Sequence, residues 1–184
     1  MNISFKIDDI GKIKPFSDKV ERNLSDMKSF YKNQEAVEKR LKEDPLIYEV
    51  YGHENEGEGD LSFATTIMHP GKIGNEYFMT KGHFHTKKSR SEVYYCLDGE
   101  GYLLIEDRKG NSEYRRMSPN SLVYVPPGHA HRSINTGENN FVFLAIYPSD
   151  AGHEYGPIKE QGFSKIFIEK NNKLHIVNNR KWLP

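Results

Sequence analysis

Beyond Pro45 the chain is a series of short apolar or alternating segments, and this pattern constrains the fold more than any other feature. The segments are LIYEVY, LSFATTIM, EYFMT, EVYYCL, YLLIE, SLVYV, FVFLAIY, KIFIE and LHIV. The breaks between them contain Gly, Pro, Asn or Asp, as in HPGKIGN, LDGEG, PPGH and NTGENN. Many short strands separated by turn residues are typical of an antiparallel sandwich or barrel. The sequence therefore predicts an all-β fold.

The N-terminal part of the chain has a different character. Residues 1–32 are mixed, with a possible early strand ISFKI followed by polar turns. Residues 33–43 (NQEAVEKRLKE) form the one convincing helix, with Asn33 as its N-cap and Asp44-Pro45 as its end. We therefore expect a single domain over residues 1–184, in which residues 1–45 are an N-terminal extension that contains one helix.

The composition excludes several classes of partner. Lys plus Arg equals Asp plus Glu at 26 each, so no net charge favours nucleic acid or an anionic membrane. The chain has no run of eighteen apolar residues and no apolar signal-peptide region in its first twenty residues. The single cysteine, Cys96, cannot form an internal disulfide and suits a reducing compartment. We expect a cytoplasmic protein that binds a small molecule.

Candidate metal ligands are concentrated in the stretch KGHFHTKKSRSEVYYCLDGEG. Residues i and i+2 of a strand point to the same face, so His83 and His85 would aim two imidazoles at one point. Glu92 opens the next predicted strand, and the polar residues between would let it fold back to the histidines. Two His and one carboxylate suit Fe(II), Mn(II), Ni(II) or Zn(II), with coordination positions left open. The residues Lys87, Lys88 and Arg90 are expected to form a solvated loop.

A second histidine pair lies in the segment PPGHAHRSIN. Chemistry alone leaves both His129 and His131 open as a fourth ligand. The turn Pro126-Pro127-Gly128 places His129 at the exit of the turn, before the pleat of a strand sets side-chain direction. The pattern H-x-H…E…G followed by P-x-G-x-x-H-x-x-x-N resembles the two motifs of the cupin family, and this resemblance assigns the ligand role to His131.

The chain departs from the cupin pattern in two places, and the first departure points to one branch of the family. The gap between His85 and Glu92 is longer than usual, and Asn120 stands where the second motif usually begins with Gly. Together TKGHFH…EVY, PP…AHR and FLAIYP…DAGHEYG resemble the cupin-type phosphoglucose isomerases. The resemblance runs from about Asn23 to the C-terminus.

The resemblance implies a double-stranded β-helix, or jelly-roll barrel, with one divalent ion per subunit at its mouth, Fe(II) being favoured. The implied activity is the interconversion of glucose 6-phosphate and fructose 6-phosphate, an intramolecular aldose–ketose oxidoreduction used in glycolysis and gluconeogenesis. A homodimer is also implied. The implied contacts to substrate are Tyr48, Thr66, Thr80, Gly82, Tyr147, His153 and Tyr155.

Aldose–ketose isomerisation passes through an enediolate, whose negative charge a divalent cation stabilises as a Lewis acid. In the family the residue at the Glu92 position is both close to the metal and the favoured base, and these roles compete. Tyr94, two residues along on the same face, is the best second acid or hydrogen-bond donor. A metal-assisted hydride shift is the alternative mechanism.

Other expectations follow from the same segments. Tyr95 and Tyr124 are expected to fill the barrel interior.

Two other functions fit the ligand set: a non-catalytic cupin that binds a sugar or metabolite, and, with less support, a non-haem iron dioxygenase.

Overall fold

The computed structural model describes residues 4–180, and its elements are mostly antiparallel strands. The strands are β1 (Lys6–Ile7), β2 (Ile13–Lys14), β3 (Asp18–Asn23), β4 (Leu46–His53), β5 (Leu61–Met68), β6 (Lys72–Ile73), β7 (Glu76–Tyr77), β8 (Glu92–Asp98), β9 (Gly101–Glu106), β10 (Ser112–Met117), β11 (Leu122–Val125), β12 (Ala130–Asn135), β13 (Phe141–Pro148), β14 (Lys165–Lys170) and β15 (Lys173–Asn178). The helices are α1 (Leu24–Met27), a 3₁₀ turn (Lys28–Phe30), α2 (Gln34–Arg40) and α3 (Gly156–Gln161).

One wall of the barrel is a six-stranded sheet in the order β11-β8-β13-β5-β4-β3. Strands β13 and β5 pair along their full length, and β8 pairs on the other side of β13 through a register shift at Val142 and Phe143. In β8 burial alternates strictly, because Glu92, Tyr94 and Cys96 point inward while the residues between them are half-buried. This alternation confirms the orientation expected for the strand that begins at Glu92.

The facing wall is the sheet β10-β9-β12, extended by the chain between Phe78 and Phe84. That segment runs beside β12 through the bridges Met79–Ile134 and His83–His131. Leu103, Leu104 and Ile134 from this wall pack in one buried cluster with Cys96 and Phe143 from the other. The two facing antiparallel sheets confirm the predicted all-β barrel.

Helix α2 has the predicted N-cap. The Asn33 side chain accepts a hydrogen bond from the Ala36 backbone N–H at 3.0 Å, and Val37 is buried against the core. Within this N-terminal part, β3 is the edge strand of the large sheet. Strand β3 lies in the part expected to be polar turns, and α3 lies in a part for which no helix was predicted.

Two tyrosines expected in the interior lie outside it. Tyr124 is 53 % exposed, and the half-buried Tyr95 donates a hydrogen bond to Asn120 Oδ1 at 2.7 Å on the surface. In both strands every second residue is buried, and Tyr95 and Tyr124 occupy the outward-facing positions between them. The prediction for them was therefore wrong. Asn120 itself adopts the left-handed conformation, with φ +71°.

Part of the predicted early strand ISFKI falls in residues 1–3, outside the described residues; Lys6–Ile7 forms a strand. Within residues 4–180, no helix is long and apolar enough to cross a membrane.

Candidate metal centre and substrate cavity

Two paired chain segments position the first two ligands. The backbone N–H of His83 donates to the carbonyl of His131 at 3.3 Å, and the N–H of His131 donates back at 3.1 Å. His83 and His131 are therefore directly opposed on adjacent strands. His85 lies two residues beyond His83 and points to the same side.

Glu92 brings the fourth ligand from the opposite wall. Its Oε2 lies 2.9 Å from His131 Nε2 and 3.1 Å from His85 Nε2. The ligand atoms of His83, His85, Glu92 and His131 all lie within 4.8 Å of one another. Only His83 is more than slightly exposed. The structure thus brings together all four predicted metal ligands.

The donor set fits a divalent metal ion. His83 Nε2 is buried and has no hydrogen-bond partner among the described residues, although buried polar atoms are usually paired. The Nδ1 of His85 lies 3.0 Å from the Arg90 carbonyl, which fixes the tautomer that leaves Nε2 free to bind a metal. An unpaired imidazole nitrogen aimed at a carboxylate and two further imidazoles is what a four-ligand metal site requires.

The electrostatics favour the ligand forms of His83 and Glu92. Desolvation, followed by electrostatic interaction with the neighbouring His131 and His153, lowers the pKa of His83 well below its ordinary value, so that its imidazole is neutral. Burial alone would raise the pKa of Glu92. The close approach of His131, followed by that of His85, outweighs burial and lowers that pKa, which keeps the carboxylate ionised.

The loop between His85 and Glu92 is fixed by a partner that the sequence did not reveal. Asp150 accepts hydrogen bonds from Arg90 Nε at 2.8 Å, Arg90 Nη2 at 2.7 Å and Lys87 Nζ at 2.7 Å. The cations of this loop therefore bind an acid of their own chain, although Lys87 is exposed as expected for a solvated loop. The contact explains how a long insertion can still return Glu92 to the histidines.

Tyr94 lies beside the ligands on β8. Its ring centroid is 5.6 Å from that of His131, and the side chain is 7 % exposed. Burial, followed by the negative charge of Glu92, raises its pKa well above the ordinary value. Its phenol is therefore protonated and able to donate a hydrogen bond.

A cavity of about 180 Å³ opens from the cluster. It is lined by three of the ligands, by Tyr94, and by every substrate contact that the resemblance implied: Tyr48, Thr66, Thr80, Gly82, Tyr147, His153 and Tyr155. His153 lies on a segment that pairs with Phe84, and its ring centroid is 4.3 Å from that of His83. His85 is the one ligand that does not line the cavity.

His129 does not belong to this cluster. Its Nδ1 contacts the carbonyl of Pro127 at 3.0 Å, within the turn that precedes β12. It lines a separate open groove of about 960 Å³ that includes Leu122 and Tyr124 but none of the four ligands.

Sequence reasoning missed four charged residues that line the cavity: Asp18, Arg22, Glu54 and Lys81. The spacing of Asp18, Val20 and Arg22 has the period of two that marks one face of a strand. That signal was present in a segment interpreted as turns.

Comparison with known proteins decides the family. The model of the family described as "Glucose-6-phosphate isomerase (GPI)" matches residues 21–183. The chain belongs to the glucose-6-phosphate isomerase family. Proteins named glucose-6-phosphate isomerase are 53 % identical over 169 residues in Thermococcus gammatolerans (91 % of this chain, 89 % of that one) and 50 % identical over 182 residues in Pyrococcus abyssi (98 % and 96 %). The protein of that name from Sinorhizobium medicae is 36 % identical over 168 residues (88 % and 78 %).

Among solved structures, the match to an oxalate oxidase in complex with the substrate analogue glycolate has a TM-score of 0.46 at 18 % identity, covering 55 % of this chain and 49 % of that one. For this member of the glucose-6-phosphate isomerase family, the sequence relatives therefore carry the assignment. The four ligands lie inside the part matched by the glucose-6-phosphate isomerase model, as do all the residues that line the cavity except Asp18 and Val20.

Proposed function

We propose that the protein interconverts glucose 6-phosphate and fructose 6-phosphate with one divalent metal ion held by His83, His85, Glu92 and His131. The observation that carries the proposal is the placement of this ligand cluster in the cavity of a chain that belongs to the glucose-6-phosphate isomerase family. When bound, the ion supplies a Lewis acid for the negative charge that develops on two neighbouring substrate oxygens.

The side chains around the cluster supply the proton chemistry. The Nε2 atoms of His85 and His131 both contact Oε2 of Glu92, so we assign proton transfer between the substrate carbons to the other oxygen, Oε1. The lowered pKa keeps Glu92 ionised at neutral pH, which is the form that accepts a proton, and it also makes the carboxylate a weaker base. Tyr94, whose phenol is protonated, is assigned to donate a hydrogen bond to a substrate oxygen. We therefore propose proton transfer, and a metal-assisted hydride shift is the alternative.

A coupled assay with fructose 6-phosphate tests the proposal. Protein stripped with EDTA should be inactive, and activity should return on adding one of Fe(II), Mn(II), Ni(II) or Zn(II), with Fe(II) as the proposed native ion. Full turnover by metal-free protein would exclude the metal-dependent mechanism. The same assay distinguishes a non-catalytic sugar-binding protein, which would bind the substrate without converting it. An oxygen electrode distinguishes a dioxygenase, because isomerisation proceeds anaerobically without oxygen consumption.

Isomerisation in H₂O and in D₂O distinguishes proton transfer from a hydride shift. Proton transfer through Glu92 exposes the hydrogen to exchange, so turnover in D₂O should place deuterium at C1 or C2 of the product. A product with no deuterium at these carbons would favour the hydride shift.

We also propose that the protein acts in the cytoplasm as a homodimer. Two large apolar side chains support self-association: Leu122 is 65 % exposed and Tyr124 is 53 % exposed on the edge strand β11. Light scattering coupled to gel filtration tests the oligomeric state, since a mass of one subunit at all concentrations would contradict the dimer.

A further inference from the structure

Between two points of contact with β12, the segment that carries His83 contains one residue more than β12 does. The Thr80 backbone N–H donates a hydrogen bond to the Ser133 carbonyl at 2.9 Å, so these two residues are paired. In an antiparallel pair, each step forward on one strand matches one step back on the other. Three steps from Thr80 would therefore place His83 opposite Ala130, but His83 bridges His131.

The additional residue forms a β-bulge. Lys81 and Gly82 lie opposite the single residue Arg132, and two residues opposing one is the arrangement that defines a bulge. Gly82 adopts φ +70°, a left-handed conformation that glycine tolerates without steric cost. Within residues 4–180, no backbone N–H donates a hydrogen bond to the Lys81 carbonyl. The bulge therefore leaves this carbonyl to be bound by a side chain.

The bulge determines the direction of the His83 side chain. A shift of one residue in the pairing turns a strand side chain to the opposite face. Without the bulge, His83 would share the face of Ala130 and point away from the cavity that His131 lines. The His83 Nε2 atom has no hydrogen-bond partner in the described part of the chain, so no such bond holds the imidazole in place. The position of this ligand thus depends on the backbone at the bulge.

Arg132 binds the carbonyl that the bulge leaves free. Its Nη2 donates a hydrogen bond to the Lys81 carbonyl oxygen at 2.6 Å. Arg132 is buried on the face of β12 that points away from the cavity, because its neighbours His131 and Ser133 line the cavity and Arg132 does not. A hydrogen bond from a charged donor is stronger than one between neutral groups. The metal ligand His131 and the side chain that binds the bulge are therefore adjacent residues on opposite faces of β12.

Other groups fix the guanidinium of Arg132 in this position. Its central carbon lies 4.6 Å from the ring centroid of Phe163, and the same ring packs against the bulge, since a Cβ on Gly82 would lie 2.6 Å from it. The buried carboxylates of Glu76 and Glu106 act favourably on its charge. The guanidinium is therefore placed to bind the Lys81 carbonyl without further rearrangement.

We propose that Arg132 is a positioning residue of the metal centre, because its hydrogen bond to the Lys81 carbonyl holds the bulge that directs the His83 imidazole at the other three ligands. The proposal rests on the proposed function for the presence of a metal ion at these ligands. Arg132 does not line the substrate cavity, so its effect on metal binding passes through His83. Loss of the arginine would leave the buried Lys81 carbonyl without this donor, which disfavours the bulged register.

The experiment compares Arg132→Met with Ile134→Ala as the matched control. Ile134 is buried on the same face of β12, two residues along, and its truncation leaves the hydrogen bond to the Lys81 carbonyl in place. NMR measures the exchange rate of the His83 amide in the metal-free proteins, relative to the amides of β13 in the other wall. Competition with a coloured chelator measures Mn(II) affinity, and denaturant titration measures the free energy of unfolding.

A second variant, Arg132→Met/Glu76→Gln, addresses the stability of the fold. The single variant leaves the buried Glu76 without a cation that acts on it, and an uncompensated buried charge is strongly destabilising. The double variant removes both charges. It decides the question if Arg132→Met alone does not fold.

The variants without Arg132 should bind Mn(II) about tenfold more weakly, the lower end for the outer partner of a metal ligand. Their His83 amide should exchange at least about tenfold faster relative to β13, because the segment opens locally. Ile134→Ala should lower the free energy of unfolding but stay within about threefold of the parent protein in both quantities. Parent-like affinity and exchange in the folded Arg132 variants, or equal changes in Ile134→Ala, would overturn the proposal.

The result also separates this inference from the proposed function, because amide exchange is measured without metal. If the parent protein binds no metal, the proposed function fails, whereas faster exchange at His83 in Arg132→Met would still show that Arg132 holds the register. If the parent protein binds metal and isomerises fructose 6-phosphate while the Arg132 variants behave as the parent does, the positioning role alone fails.

Discussion

Replacing His131 by Ala tests the metal assignment most directly. His131 is 1 % exposed, its Nε2 lies 2.9 Å from Glu92 Oε2, and its backbone pairs with that of His83. The variant keeps the backbone pairing but removes one of four ligand atoms, and with it the side chain whose contact lowers the pKa of Glu92. Loss of even an outer partner of a metal ligand weakens metal affinity by roughly 10–100-fold. Loss of a ligand should therefore weaken it by at least about a hundredfold.

His129→Ala is the matched control from the same chain. His129 is a half-buried histidine two residues away, and its Nδ1 contacts the Pro127 carbonyl of its own turn. This variant should retain metal affinity and nearly all activity.

The assay measures metal content of the two purified variants by mass spectrometry, metal affinity by competition with a coloured chelator, and turnover of fructose 6-phosphate. Circular dichroism checks that both variants fold. Retention of metal by a folded His131→Ala protein, or loss of metal from His129→Ala, would refute the ligand assignment.

Three further perturbations address the base, the backbone and the loop. Glu92→Gln should lower kcat at least about a hundredfold, the low end for general-base catalysis; normal kcat with bound metal would remove Glu92 as the base. Gly82→Ala should lower the free energy of unfolding by about 1–3 kcal/mol and weaken metal binding, because φ is +70° there and a Cβ would lie 2.6 Å from Phe163. Gly156→Ala, where a Cβ meets no atom within 4 Å, is the control, and equal effects in denaturant titrations would contradict this reasoning. Asp150→Asn should weaken metal affinity about tenfold by loosening the loop before Glu92, and the same affinity as the parent in chelator competition would show that the loop needs no such contact.

The Asp150 contact also predicts a pH dependence. Hydrogen bonds from Arg90 and then Lys87 lower the pKa of Asp150 below its ordinary value of 3.8. Because the pKa is lower in the folded state, the contact contributes stability above the ordinary pKa and loses it as pH falls through the folded pKa. The parent protein and Asp150→Asn should therefore approach equal stability only in strong acid, which acid titration monitored by circular dichroism can check.

The sequence predicted the barrel and the inward face of β8 because each rests on a local pattern. Strand periodicity fixes which residues point together, and Glu92, Tyr94 and Cys96 are buried as their spacing required. The capping of α2 by Asn33 is equally local. Tyr95 and Tyr124 were predicted wrongly, since aromatic character was given more weight than the alternation of their own strands.

The remaining features depend on contacts between distant parts of the chain. Strand β3 is polar because it lies at the edge of the sheet, where its charged residues face solvent or the cavity, so no apolar run marks it. The partner of Lys87 and Arg90 is Asp150, which follows β13, and no local pattern joins them. The sequence therefore shows the charged residues that line the cavity, Asp18, Arg22, Glu54 and Lys81, but gives no sign that they come together.

The pairing of His83 with His131 has a consequence for folding. The ligands come from both walls, so the complete site exists only when the barrel is closed and the segment around His83 has docked beside β12. A metal ion that binds the closed form and not the open one stabilises it by RT ln(1 + [M]/Kd), about 2.7 kcal/mol at a hundredfold excess over Kd. The concentration of the metal ion therefore affects the stability of the closed barrel. In the absence of the ion, the segment that carries His83 and His85 loses that stabilisation and should be among the first to exchange its amide hydrogens.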